Sequence, residues 1–384
     1  MTTTIAALGV SSSNTPAQNT TALQNALEAA ASTDNVDILV PPGDYHFHDG
    51  VSIDTPHRIT FNGEVLDGCN LHFHGTTGGL KVEYLDYTKP TAVQNLNFIT
   101  HSNGGGTALH LKGPNLPTAT EGGLQVVNVD VRGVTPGVEY FKWGIHCENA
   151  WHPYIFRPDI QGRNPGETDP QAANPLVRTF LADGGLKFTD CQAPQVRDPI
   201  MLHLDTGIKA DGSVHGEGLN ATGGELIGVG VGIDWSIGVY KPCIYLGQMH
   251  INAYRTGVNL TNVGQFATNS LHVYKTQLSR SNWSAMQLSN CHDNDISLKA
   301  YNPGCPLDTG GSANGIVAIN SDCNQFDIQA GQWHTAGAAV VFIGVSKNNR
   351  YRVRKGLDST RLNKSGYVAY TGTAAQMASN VEFA

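Results

Sequence analysis

Charge is scarce. Asp, Glu, Lys and Arg make up only 15% of the 384 residues, against ~25% in ordinary globular domains. Lys and Arg together number 24 and form no run, and the net charge is −8. Binding nucleic acid takes clustered cations that displace counterions, so a nucleic-acid partner is disfavoured. No apolar stretch approaches the ~18 residues of a membrane-spanning helix, which argues against membrane insertion. The opening Met1 to Leu8 has neither a basic start nor a long apolar segment, and no secretory signal is expected. The seven cysteines include no Cys-x-x-Cys pair, so a zinc ribbon or redox motif has no support. Buried free thiols in a chain made in a reducing cytosol are expected instead. The 15 histidines show no metal-binding spacing such as His-Glu-x-x-His, and neither a metal nor a cofactor is expected.

Glycine, by contrast, is abundant: 44 of 384 residues, against a usual ~7%. Asn and Thr are plentiful too. With 40% hydrophobic residues a disordered chain is excluded, and the balance favours short strands and tight turns over long helices.

One helix is legible. Pro16 suits a first helical position, where a missing N–H costs nothing. Leu23, Ala26, Leu27, Ala30 and Ala31 then recur at helical spacing over 16–31. A strand from Val36 to Val40, a Pro41-Pro42-Gly43 turn and a strand from Asp44 to Phe47 follow. A lone amphipathic helix followed only by strands predicts a cap over the open end of a strand stack, within residues 1–50.

The body, 51–384, is an internal repeat. An apolar residue, Ser or Thr, Asn or Asp, then Cys, Val or Ala recurs as Phe188-Thr-Asp190-Cys191, Leu260-Thr-Asn262-Val263, Leu288-Ser-Asn290-Cys291 and Asn320-Ser-Asp322-Cys323. Looser copies surround Asn149 and Asn348. Short alternating runs flank each copy, and the step is about 26–32 residues, too short for an independent core but suited to one coil of a solenoid. The bend Asn or Asp then stacks coil on coil, and Trp235, by its place in the repeat, points inward. The fold class that follows is all-β: a solenoid of about ten to twelve coils at ~4.8 Å spacing. Gly-, Pro- and Asp-rich stretches at 134–143, 163–184 and 203–224 read as inserted loops, where binding usually sits.

Asn14 to Ala31 and Val36 to Phe47 together resemble the opening of pectate-lyase-like right-handed parallel β-helix proteins, and most of all bacteriophage tailspikes. The resemblance implies a right-handed parallel β-helix with an N-terminal capping helix. It implies a homotrimer on a virion tail, made in the host cytoplasm and acting at the bacterial surface. It further implies a protein that binds and often cleaves a bacterial surface polysaccharide, such as capsule, O-antigen or exopolysaccharide. The N-terminus would serve for attachment to a phage tail or baseplate protein. Unlike a full tailspike, the sequence shows no obvious virion-binding domain before the cap helix and no large domain after Tyr367 to Tyr370.

Most such enzymes are hydrolases with two carboxylates, one protonated and one ionised. Asp190 and Asp322 sit at the repeated bend and read as structural. Asp159, Asp205, Asp211, Glu217 and Asp234, near the expected loops, remain as catalytic candidates. Trp143, Trp151, Tyr154, Tyr240 and Trp283 offer faces on which a sugar could stack, and Arg163 a polar contact. The alternatives are a polysaccharide lyase using a Lys, His or Tyr base, with Lys209, His203, His215 and Arg197 near the same loops, and a non-catalytic glycan-binding adhesin. Asp293-Asn-Asp295 reads as a polar turn in preference to a Ca²⁺ ligand set.

Overall fold

The computed structural model describes residues 2–383 apart from 87, 115–122, 164–179, 213–214, 217, 242–243, 265, 269–270, 275–283, 302–313, 332–337, 356–367 and 372. The chain is an all-β parallel β-helix. Its described residues form two compact units, Met1–Asn164 with Phe180–Leu204, and Asp205–Ala384. No helix among the described residues is long and apolar enough to cross a membrane.

In the first unit the helix Pro16–Ala31 begins as its sequence dictates. The Thr15 hydroxyl accepts from the Gln18 backbone N–H, and the Gln18 side chain accepts from the Thr15 N–H. Such a reciprocal cap contributes about 1 kcal/mol. Leu23 and Leu27 are buried, and the helix packs on the strands Gly43–Phe47 and Val51–Thr55. Asn19, 1% exposed, donates to the carbonyls of Ser11 and His46 and so ties the helix to the segments before and after it.

Coils then stack in parallel. Val36–Val40 pairs with Ile59–Gly63, which pairs with Ala92–Thr100, which pairs with Gln125–Gly133. The next partners are the short strands Tyr154–Phe156 and Asp159–Gln161. Strict alternation puts Val36, Ile38 and Val40 inward, as it does Val126, Ile155 and Val196. Interior rings stack along the coils: Phe47 on Phe73 at 5.4 Å and Phe73 on Phe98 at 6.2 Å between centroids.

Bends fall where the repeat predicts. Asn149, Asp190, Asn262 and Asn290 have φ between +49° and +59°, a left-handed region that Asn and Asp tolerate best after Gly. In the second unit the Asn290 amide donates to Asn262 Oδ1 at 3.3 Å, and the Asn262 amide to the Ile237 carbonyl at 2.9 Å. Two copies of the repeat, those read at Asp322 and Asn348, need correction. Ser289 pairs with Ile319, so the bend partner of Asn290 is Asn320, φ +47°, and not Asp322. Ser321 takes the position of Cys291, whose backbone N–H it receives at 3.0 Å, and Asp322 instead pairs with His292. The next bend partner is Gly344, φ +66°, whose missing Cβ leaves room for Asn320 Oδ1.

A second amide row lies inside the same unit. Asn294, Asn324, Asn349 and Asn380 are buried, and each Nδ2 donates to the Oδ1 of the next at 2.7, 3.0 and 2.9 Å. Each acceptor also takes the backbone N–H of the preceding asparagine. Asp293 (φ +57°) is a turn residue and Asn294 belongs to this row, as a polar turn requires. Trp235 is fully buried and donates to the Gly216 carbonyl at 2.7 Å.

The expected loops differ. In 134–143, only the first residues turn, and Tyr140–Glu148 is a strand. Within 203–224, Thr206–Asp211 and Leu219–Thr222 are strands that bury Ile208, Ala210, Leu219 and Ala221. Glycine and aspartate mark the bends there, while the alternating apolar residues between them hold the coil. Of the stretch 163–184, residues 164–179 lie outside the described residues, and its end, Gly184, already belongs to the strand Gly184–Thr189. Beyond Val368–Tyr370 the coiling continues, with Val381–Glu382 pairing onto Arg350–Lys355. Cys69, Cys147, Cys191 and Cys291 are buried free thiols and Cys323 an exposed one.

Candidate active site

Parallel register builds one polar row on the outside of the first unit. Asp44, Asn70, Asn97, Asp130 and Asp159 occupy the same position on successive strands, about 4.8 Å apart. At its start amides separate the charges: Asn70 donates to Asp44 Oδ1 at 2.7 Å, and Asn97 to Asn70 Oδ1 at 2.8 Å. The Asn70 hydrogen bond holds the Asp44 carboxyl below the usual range. At the other end two carboxyls stand side by side with no amide between them.

These two line a cavity of about 190 Å³, together with Asp67, Arg157, Leu66 and Ile200. Arg157 stands at a left-handed bend (φ +50°), next to Pro158, and this corner turns the chain into the strand that carries Asp159. Burial, then the charge of Asp130, pushes Asp159 up to about 6, with Asp67 adding to the rise. Asp159 keeps an open rim to solvent, yet protein surrounds its base. Burial also raises Asp130, but Arg132 Nε donates to Asp130 Oδ2 at 2.9 Å and opposes that rise. Environment thus differentiates two like groups: one stays protonated well above the ordinary carboxylate range, the other is bonded to a guanidinium. Leu66 and Ile200 leave exposed apolar flanks beside them.

Of the candidates read from the sequence that lie among the described residues, Asp159 lines this cavity. In the second unit Asp205 pairs with Arg255, and Asp234 accepts from Ser236 Oγ at 2.6 Å and Asn259 Nδ2 at 3.0 Å. Asp211 is exposed at the end of its strand. Glu217 and Trp283 lie outside the described residues, as does the side chain of Tyr240. In the first unit Trp143 is half-buried, with Lys187 Nζ 5.7 Å from its ring centre. Trp151 lies against His152 at 5.0 Å and Tyr154 beside Phe156 at 6.4 Å. Arg163 is half-buried at the last residue before 164.

Two histidine-centred groups can offer metal ligands among the described residues: His46, His74 and His101, and His110, His146 and Glu148. Burial, followed by neighbouring imidazoles, lowers His74 and His101.

No family model matches the chain, and no curated protein does. Among solved structures, that of DFA-IIIase from Arthrobacter chlorophenolicus A6 in complex with GF2 is similar at 12% identity over 97% of this chain and 98% of that one, with a TM-score of 0.52. The C387A mutant of the same enzyme, alone and in complex with DFA-III, is similar at 11% identity over the same shares, each with a TM-score of 0.50. At this identity the likeness concerns the fold.

Proposed function

We propose that the protein binds a bacterial surface polysaccharide and hydrolyses it with Asp159 and Asp130. The observation that carries this is the raised Asp159 beside an Arg132-bonded Asp130, in register on adjacent coils and facing one cavity. Adjacent coils hold such carboxyls roughly 5 Å apart, the separation used by retaining glycosidases. Asp159, protonated, gives its proton to the glycosidic oxygen as the bond breaks. Asp130, ionised, attacks the anomeric carbon from the opposite face and forms a glycosyl ester. Asp159, now a carboxylate, takes a proton from water, whose oxygen displaces Asp130 and releases the sugar.

Leu66 and Ile200 supply apolar walls against which the C–H face of a sugar can lie. That DFA-IIIase has been crystallised with GF2 on a similar fold is in keeping with such a ligand. The tailspike-like segment 14–47 supports the finer reading: capsule, O-antigen or exopolysaccharide as substrate, a homotrimer, and a place on a virion tail at the bacterial surface.

The test is to incubate the protein with candidate surface polysaccharides. New reducing ends without unsaturated uronate absorbance support the proposal. Unsaturated products would make it a lyase, and retained binding without products an adhesin.

A further inference from the structure

The first unit carries a group of imidazoles that the carboxylate pair does not use. His46 lies on the strand Gly43–Phe47, His72 on Cys69–Phe73, and His74 and His101 directly follow Cys69–Phe73 and Ala92–Thr100. Successive coils therefore bring residues from three parts of the sequence to one patch. His46 Nδ1 lies 3.0 Å from His74 Nε2, and His74 stacks on His101 with centroids 4.0 Å apart. One ring nitrogen from each of His46, His74 and His101 lies within 4.8 Å of the other two.

A single N–H···N bond explains a pair of imidazoles but not three converging nitrogens. Two nitrogens bound to one tetrahedral zinc at ~2.0–2.1 Å are themselves about 3.3 Å apart, close to the His46–His74 separation. The outer contacts fit the same reading. Asp44 Oδ1 lies 3.3 Å from His72 Nε2, and His72 Nδ1 lies 3.1 Å from His101 Nε2. A carboxylate can only accept, so His72 carries its proton on Nε2 and accepts at Nδ1 from His101. Such a chain fixes the tautomer and orientation of a ligating imidazole.

We infer that His46, His74 and His101 form a binding site for a divalent transition-metal ion of the zinc type, oriented by His72 and Asp44. The ion would join three successive coils of the first unit. The second group is the weaker candidate, because Glu148 already pairs with His110 at 3.0 Å and with Lys112 at 3.9 Å.

The test is titration of the whole protein with Zn²⁺ against a chromophoric chelator, with Co²⁺ as a spectroscopic probe and the melting temperature as a second readout. Expected are one equivalent of metal per chain, Co²⁺ ligand-field bands of a nitrogen-bound site, and a rise in melting temperature that EDTA reverses. His74→Ala and His74→Gln should each abolish all three at unchanged circular dichroism, while His146→Ala leaves them intact. His72→Ala should weaken binding about 10–100-fold. Absence of binding, or an equivalent of metal that survives both His74 variants, would overturn the inference.

Discussion

Asp130 and Asp159 are register partners on adjacent coils, and the Arg132 guanidinium bonds only the first of them. That asymmetry is the basis of the two proposed roles. Asp159→Asn and Asp130→Asn should each lower polysaccharide cleavage by about 10²–10⁴-fold, the usual contribution of a positioned acid or base. Circular dichroism should stay unchanged, because both side chains face outward. Full activity in either variant would remove that residue from the site.

The same pair sets a pH dependence. The proposed cleavage uses Asp159 protonated, and burial with the Asp130 charge holds it up to about 6. Activity should therefore fall as pH rises through about 6, and on the acid side as Asp130 takes up its proton. Arg132→Gln should move the acid limb upward, since the bond that opposes the rise of Asp130 is gone. The pH–rate profile measures both limbs.

Stability follows from the same shift. A carboxyl whose folded pKa lies above its unfolded value favours the folded state at low pH, and that contribution is lost as pH rises through the folded value. For Asp159 the window runs from about 4 to about 6. Asp159→Asn should melt higher than the parent above pH 6 and lose that advantage toward pH 4, as thermal scans across pH will show.

In the buried amide row, Asn324→Ala should destabilise the protein by about 1–3 kcal/mol for each polar group left without a partner. Asn324→Asp tests direction as well as contact. A carboxylate facing the Oδ1 of Asn349 replaces a donor with an acceptor, so this variant should be weaker at neutral pH than at acid pH. Urea unfolding at the two pH values separates them.

At the bends the cost is conformational. Asn290→Ala should lose about 1–2 kcal/mol from the left-handed backbone, while Asn290→Gly should lose less, because only the hydrogen bond to Asn262 goes. Equal losses in denaturant titration would mean that this contact, and not φ, fixes the bend.

The cap and the repeat were readable because both are local: Pro16 and the helical spacing after it, Asn262 and Asn290 one step apart. Asp159 was reachable by its place on a short outward strand. Asp130 was not, because Val129-Asp130-Val131 looks like any half-exposed strand and only the coil length puts it beside Asp159. The register slip at Asn320 has the same origin: two Asn/Asp positions two residues apart fit one motif, and only pairing tells them apart. The histidines were the clearest omission. His46, His74 and His101 are spaced by about one coil step, a signal invisible to a search for ligands within one helix.

The row from Asn294 to Asn380 has a direction. Asn294, Asn324 and Asn349 each give one amide hydrogen forward, to the next asparagine, and the other backward, to the carbonyls of Val263, Cys291 and Ser321. Each amide therefore staples its own coil to both neighbours, the one before and the one after. Asn380, the last of the row, donates to the carbonyls of Ser346 and Gln376 in place of a further asparagine. A chain cut back before Asn380 would strip the acceptor from the Asn349 backbone N–H and from one of its amide hydrogens, while the other still meets the Ser321 carbonyl.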